Sequence, residues 1–304
     1  EETLAELYQS YAEGEYFEMH YPKMLEMGAR ACLTGHGLGP SPQLITSYAN
    51  MMVFFGMLRK RELVERRARQ IEALSDKLGD PVSHSHLQVM RHVALHIAGQ
   101  CGAVDDGLDR TLLQKGHLTE PWVYLIGVAD LAWVLMMRGY VERAWTWVQR
   151  GMERCRVTSS PAGVARDLDI LACYAISCQA ILGRPGEAME QVERLQGKCS
   201  QDHLDRSLRA NFYAHQLSLH LETGDLGAAM EQTGASFLGL GLNPALAPLH
   251  RRHFYVLWAY CWLERCLQQP DDLPRVDQAL KLLRRTANRV VLEAHLQVAL
   301  GGRN

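Results

Sequence analysis

Three carboxylates, Asp105, Asp106 and Asp109, are the side chains in this chain best spaced to do chemistry. Acids at that spacing can gather magnesium, which would draw off a diphosphate leaving group once a second acidic set on a facing helix completes the site. No convincing second set accompanies them. Asp271 and Asp272 sit near another helix start. Asp105 and Asp106 open a short helix, where the dipole favours acids for purely structural reasons. A phosphate-binding loop is missing as well. Gln196-Gly197-Lys198-Cys199-Ser200 lacks the upstream glycine and carries cysteine where a hydroxyl is required. Gly35-His-Gly-Leu-Gly39 follows a helix with no strand before it, so it reads as a loop and not as a dinucleotide fingerprint. There is no nucleophile elbow and no His-Glu-Xaa-Xaa-His pair. The expectation is a protein that catalyses nothing.

The histidines invite the same weighing. His84, His86, His92 and His96 fall in one segment, and His92 and His96 are one turn apart on a shared helix face. A third ligand would make them a zinc site. The plainer expectation is that they line the helical surface or cap packing with a polar tip, with no metal and no cofactor. Cys173 and Cys178, like Cys261 and Cys266, are spaced too far round a helix to clamp an ion and read as core. Phe254, Trp258 and Trp262 recur at helical spacing and read as packing between hairpins. Trp145 and Trp147, two residues apart, cannot share a face, so one of them should be partly exposed.

The elements that position these residues are helices. The chain has 304 residues, 47% hydrophobic and 22% charged, with a formal net charge of -2. That balance argues against nucleic acid, which would call for a basic excess. The densest basic run, Arg59-Lys60-Arg61 with Arg66, Arg67 and Arg69, is interrupted by Glu62 and Glu65 and reads as a solvated helix face. Eight scattered cysteines (Cys32, Cys101, Cys155, Cys173, Cys178, Cys199, Cys261 and Cys266) are expected to be reduced, buried small hydrophobes. With no apolar run near the length of a bilayer span and no signal segment, they point to a cytoplasmic location without membrane attachment. The chain opens without methionine and stops at Asn304 just after an apolar helical run, which reads as a fragment of a longer protein.

One short pattern recurs: an apolar helical run, a glycine, four residues, then a small residue opening a second helix. Gly139 to Ala144, Gly183 to Ala188 and Gly224 to Ala229 are three instances; Gly102 to Gly107 fits with glycine as the small residue, and Gly14 to Met19 fits loosely. Glycine ends the first helix because it accepts the left-handed turn conformation. The small residue then lets the second helix approach. This predicts one domain, residues 1–304, of seven helix pairs and a frayed eighth. First helices fall near 3–12, 42–58, 82–100, 121–138, 164–182, 204–223 and 249–268. Second helices fall near 15–33, 62–78, 104–113, 141–155, 185–198, 226–238 and 273–287.

On these residues the chain resembles tetratricopeptide-like repeats: Gly139 with Val141 and Ala144, and Gly224 with Leu226 and Ala229, stand as that family's turn glycine, apolar residue and helix-opening alanine. The period is longer than the family's and the first-helix aromatics are mostly lost. More narrowly, the segment Arg61 to Pro81 is similar to a recurring second helix in the C-terminal region of large bacterial signalling ATPases, the maltose-regulator type of activator and multidomain kinases or cyclases. The resemblance implies an all-α, right-handed superhelix of about seven hairpins, a regulatory domain that senses ligands or docks partners.

In that pattern the concave groove is lined about three, six, ten and thirteen positions before the turn glycine. Counting from Gly102, Gly139, Gly183 and Gly224 brings His92, His96, Ile126, Ala129, Trp133, Met136, Ser177, Asn211 and Ser218 to the groove, on a mostly apolar wall. The leading expectation is a scaffold within a multidomain signalling protein, holding a partner protein, a peptide or a neighbouring domain of the same chain. The alternative is a small-molecule sensor that controls an attached ATPase, kinase, cyclase or transcription-regulator module. A peptide clamp would offer charged or amide groups along several repeats; a sensor would concentrate them in one small pocket.

Overall fold

A computed structural model describes residues 2–100, 102–158, 161–199, 206–245, 251–286 and 290–303. Helix accounts for 87% of the described residues, and there is no strand among them. The chain divides into two compact units, Glu1–Leu131 and Ala132–Asn304.

The first unit holds α1 (Glu2–Phe17), α2 (Tyr21–Leu38), α3 (Pro42–Met57), α4 (Arg61–Leu78), α5 (Pro81–Ile97), α6 (Ala103–Lys115) and the start of α7 (Pro121–Met137). The second holds the rest of α7, then α8 (Val141–Thr158), α9 (Pro161–Ile181), α10 (Pro185–Cys199), α11 (Arg206–Thr223), α12 (Ala228–Gly239), α13 (His253–Gln268), α14 (Leu273–Thr286) and α15 (Val290–Arg303). Packing follows chain order. α1 packs on α2, α3 on α4 and on α5, and α5 on α6; in the second unit α9 packs on α10 and α11, and α11 on α12 and α13. The odd-numbered helices are the first helices of the pairs. They include the most apolar segments, such as Val123 to Met136 and Ile170 to Ala180, because they are covered by neighbours on several sides.

The turn that joins first to second helix recurs with one hydrogen-bond signature. Met19, Arg59, Gly99, Gly139, Gly183 and Gly224 all have positive φ, from 58° to 95°. The amide of each donates to the carbonyl three residues back, and at the first five the next amide donates five residues back, closing a Schellman motif. Met19, Arg59, Gly99 and Gly139 fall 40 residues apart. This corrects the sequence expectation at three places. Gly14 lies inside α1, so the first turn is at Met19. The third turn is at Gly99, and Gly102 instead caps the start of α6. After Gly224 the turn is longer, so Met230 is buried where Ala229 was expected. Elsewhere the small-residue rule holds: Ala144 and Ala188 are fully buried, and Gly107 leaves room for the His92 ring, which an added Cβ would meet at 2.5 Å.

Arg59 is the exposed member of the two non-glycine turns. A left-handed L-residue costs about 1–2 kcal/mol, and glycine's extra chain entropy returns part of that. Arg59→Gly is therefore expected to stabilise the protein by roughly 0.5–1 kcal/mol, read as a higher urea midpoint; a lower midpoint would show that the arginine side chain contributes more than its backbone strain removes.

The aromatic stripe is packing: Phe254 stacks on Phe237 with ring centroids 3.6 Å apart, and Trp258 meets Trp262 edge to face. Trp147 is buried and Trp145 half-buried. Cys32, Cys155, Cys173, Cys178, Cys199 and Cys261 are buried free thiols, and burial pushes Cys32, Cys178 and Cys261 up to about 12. Cys101 lies outside the described residues. The basic run at residues 59–69 lies along an exposed face, apart from half-buried Arg67. Among the described residues, no helix is long and apolar enough to cross a membrane.

Candidate functional site

The site forms on the first-helix face of the first unit. Its helices begin alike. Ser41, Asp80 and Glu120 each precede a proline, Pro42, Pro81 and Pro121, whose missing N–H and fixed φ suit a first helical position. Ser41 accepts from the Leu44 amide, and the Asp80 carboxylate accepts from the Ser83 amide at 2.8 Å. The cap holds Asp80 below the usual carboxylate range, chiefly through its bonds to Ser83. Close approach of α3 and α5 requires Gly56, since a Cβ there would lie 2.4 Å from the Ala94 carbonyl oxygen.

Two adjoining spaces open on this face. The first is apolar, a cavity of about 70 Å³ open to solvent at its mouth, and is lined by Met24, Gly28, Met51, Val53, Phe54, Met90, Val93 and Ile126, with Ala12, Tyr16 and Trp122 at its margins. Polar groups reach it from Glu13 and Asn50, with Tyr16 and Trp122 adding theirs at the margins. His86 fixes Asn50. Burial drives the imidazole down to about 3, so it is neutral, and its Nε2 donates to Asn50 Oδ1 at 2.8 Å. The Asn50 carbonyl is thereby engaged, leaving the amide N–H groups to meet an occupant.

The second space, about 780 Å³, is polar. Glu6, Gln9, Ser10 and Glu13 come from α1, Gln43 and Thr46 from α3, Ser83 from α5, and Asp80 and Glu120 from just before α5 and α7. Among the described residues its lining carries four carboxyl side chains and no cation. Local bonds order it: Gln43 Nε2 donates to Glu2 at 2.7 Å, the Thr46 hydroxyl to Gln9 at 3.2 Å, Gln9 to Glu13 at 3.3 Å, and Trp122 Nε1 to Glu120 at 2.7 Å. Glu13 lines both spaces, and its carboxyl is raised to about 7, first by burial and then by the Glu120 charge, against the lowering effect of Gln9. The pocket of the second unit beside Trp258 and Trp262 differs: Glu231 there is paired with Arg265 at 2.5 Å and Arg275 at 3.3 Å.

The shift of Glu13 has a signed consequence. Its carboxyl is raised in the folded state from an ordinary 4.5 to about 7, so the folded protein holds a proton that the unfolded chain releases. Stability is fully present below about pH 4.5 and is lost as pH rises through about 7. Glu13→Gln, which removes the titration, is expected to raise the melting temperature at about pH 8 and to leave it nearly unchanged at about pH 4; an equal gain at both would trace the effect to something other than this carboxyl.

The residues expected in the groove fall in several environments. Ile126 lines the apolar space, and Ala129 is half-buried. His92 is half-buried, and burial drives its imidazole to about 4. His96 is not on a surface: it is fully buried, its Nδ1 2.5 Å from Asp130 Oδ2 and its Nε2 2.7 Å from Asp105 Oδ1. With both ring nitrogens engaged it cannot ligate zinc beside His92. Asp105 is thus drawn into the core while Asp106 is exposed, which splits the acidic triplet. No group of three or more His, Cys, Asp or Glu placed to hold a metal ion occurs among the described residues.

In the second unit Trp133 and Met136 are buried. Ser177 and Ser218 are brought together, their hydroxyls 2.7 Å apart, with His215 Nδ1 2.7 Å from Ser177. Asn211 is buried one turn before His215. The sequence reading missed Glu13, Asn50, Glu120 and the role of His86. The recurrent turn at Met19 and Arg59 would have found the first of these, since counting back from Met19 gives Tyr16, Glu13, Gln9 and Glu6.

No family model matches the chain, and no curated protein or solved structure matches it.

Proposed function

We propose that this chain is a non-catalytic docking scaffold that binds a peptide segment of a partner, or of a neighbouring domain, across the first-helix face of its first unit. The supporting observation is the row of carboxyl, amide and hydroxyl side chains contributed in turn by α1, α3, the start of α5 and the start of α7, beside an apolar space. Polar groups spread over four successive first helices suit an extended chain, whose backbone and side chains need partners at intervals, better than a compact molecule held at one point. The finer architecture belongs to the same proposal: a tetratricopeptide-type, right-handed superhelix of about seven hairpins, supported by the 40-residue recurrence of the left-handed turn. So does a place in a larger regulatory protein.

A second reading, a small-molecule sensor, draws on the apolar space, where Glu13 and Asn50 set polar groups on an otherwise largely apolar wall. Panning a phage-displayed library of random dodecapeptides on the full chain separates them. The docking reading expects enriched clones whose binding is lost on Ala12→Leu and Gly28→Leu, which fill the apolar space from α1 and α2. At Gly28 an added Cβ would lie 2.8 Å from Met51 Sδ, so the flexible thioether must move aside to admit the new side chain. Failure to enrich any clone sensitive to these variants would contradict it.

A further inference from the structure

We infer that the segment docked on this face is basic, with an apolar or aromatic side chain in the methionine-lined space and a lysine or arginine beside it over Glu13 and Glu120. This rests on the docking reading above and adds the chemistry of the occupant.

The apolar space offers Met24, Met51 and Met90 with Phe54, flexible thioethers around one ring. Such a wall accommodates a bulky side chain without demanding one shape. An occupant that extends from this space into the polar one passes Glu13, the residue the two spaces share. Beyond it the wall holds Glu6, Asp80 and Glu120 and, among the described residues, no lysine, arginine or histidine. Asp80 accepts from its own helix start and Glu120 from the Trp122 N–H, and each carboxyl keeps lone pairs for a further donor. An acidic segment entering here would place like charges together in partly desolvated surroundings, and a neutral one would leave the carboxylates uncompensated. A cationic segment meets them with opposite charge, and a lysine or arginine stem can lie along the apolar rim while its head reaches a carboxylate. The balanced charges around Glu231 in the second unit show that this chain compensates acids elsewhere with its own arginines; here it does not.

The test uses three fluorescein-labelled synthetic dodecapeptides and the full chain, read by fluorescence anisotropy at low and at moderate salt. One carries a phenylalanine between two pairs of lysines, the second has glutamate in place of every lysine, and the third has serine in place of the phenylalanine. The first should bind saturably. The other two should bind at least about tenfold more weakly, a difference of about 1.4 kcal/mol. Added salt should weaken the first by screening. Ala12→Leu and Gly28→Leu should each weaken the first peptide at least as much, and the double variant Glu13→Gln, Glu120→Gln should weaken it and flatten its salt dependence. Thermal unfolding of each variant confirms that it is folded, and the second filling variant covers the loss of the first. If the glutamate peptide binds as well as the lysine peptide, and Ala12→Leu and Gly28→Leu still abolish binding, the face docks peptides but the basic occupant is wrong. Basic-peptide binding that ignores both filling variants overturns the docking reading too. No saturable binding of the lysine peptide up to about 1 mM overturns this inference.

Discussion

His96→Ala is expected to destabilise the protein by about 3–5 kcal/mol, because it breaks a buried ionisable network in which the imidazole bonds two carboxyls. His96 is fully buried, and Asp105 and Asp130 are 1% and 3% exposed. Burial raises the Asp130 carboxyl, while the nearby imidazole acts in the opposite sense. The network ties α5, α6 and α7 together within the first unit. Urea unfolding should show the loss, and Asp106→Asn, on the exposed neighbour, should show almost none. If His96→Ala left the urea midpoint within about 0.5 kcal/mol of the parent's, the network would not hold these helices.

Trp133→Ala is the second large effect, also about 3–5 kcal/mol. The indole is 1% exposed, and its Nε1 finds no hydrogen-bond partner among the described residues. Its contribution is therefore packing alone. Trp133→Phe, which keeps an aromatic ring and discards the N–H, should cost only a fraction as much. Equal losses for phenylalanine and alanine would mean that the N–H matters after all. From sequence Trp133 was expected on the groove wall, whereas it is fully buried.

How much was legible follows from these cases. Helix content and the pairing order were readable because apolar runs at helical spacing alternate with glycine and proline breaks, and both signals are local. Gly139 and Gly183 announced their turns since glycine is the residue that adopts positive φ without strain. Met19 and Arg59 adopt it too, with side chains that give no hint, so the register of the first two hairpins stayed hidden. Gly102 misled by three residues because it shares a short loop with the true turn residue, Gly99. That slip brought His92 forward as a groove residue and passed over His86 and Val93. The acidic wall was invisible for another reason. Glu13, Asp80 and Glu120 lie far apart in sequence, and Asp80 by itself reads as a helix cap, which it also is. Only the stacking of successive first helices assembles them. The buried triad of His96 likewise joins residues 9 and 34 positions apart, beyond the reach of a periodicity argument.

The most direct test of the account is where a bound basic peptide sits. A dodecapeptide carrying benzoylphenylalanine between two lysine pairs, bound to the full chain and irradiated, should crosslink to the methionine-lined space, since benzophenone inserts readily into side chains it touches. Mass spectrometry of the digest should then find the adduct on Met24, Met51 or Met90, and Ala12→Leu should abolish it. Adducts confined to the second unit or to the outer faces of α4 and α6, unchanged by Ala12→Leu, would contradict the assignment of this face as the docking site.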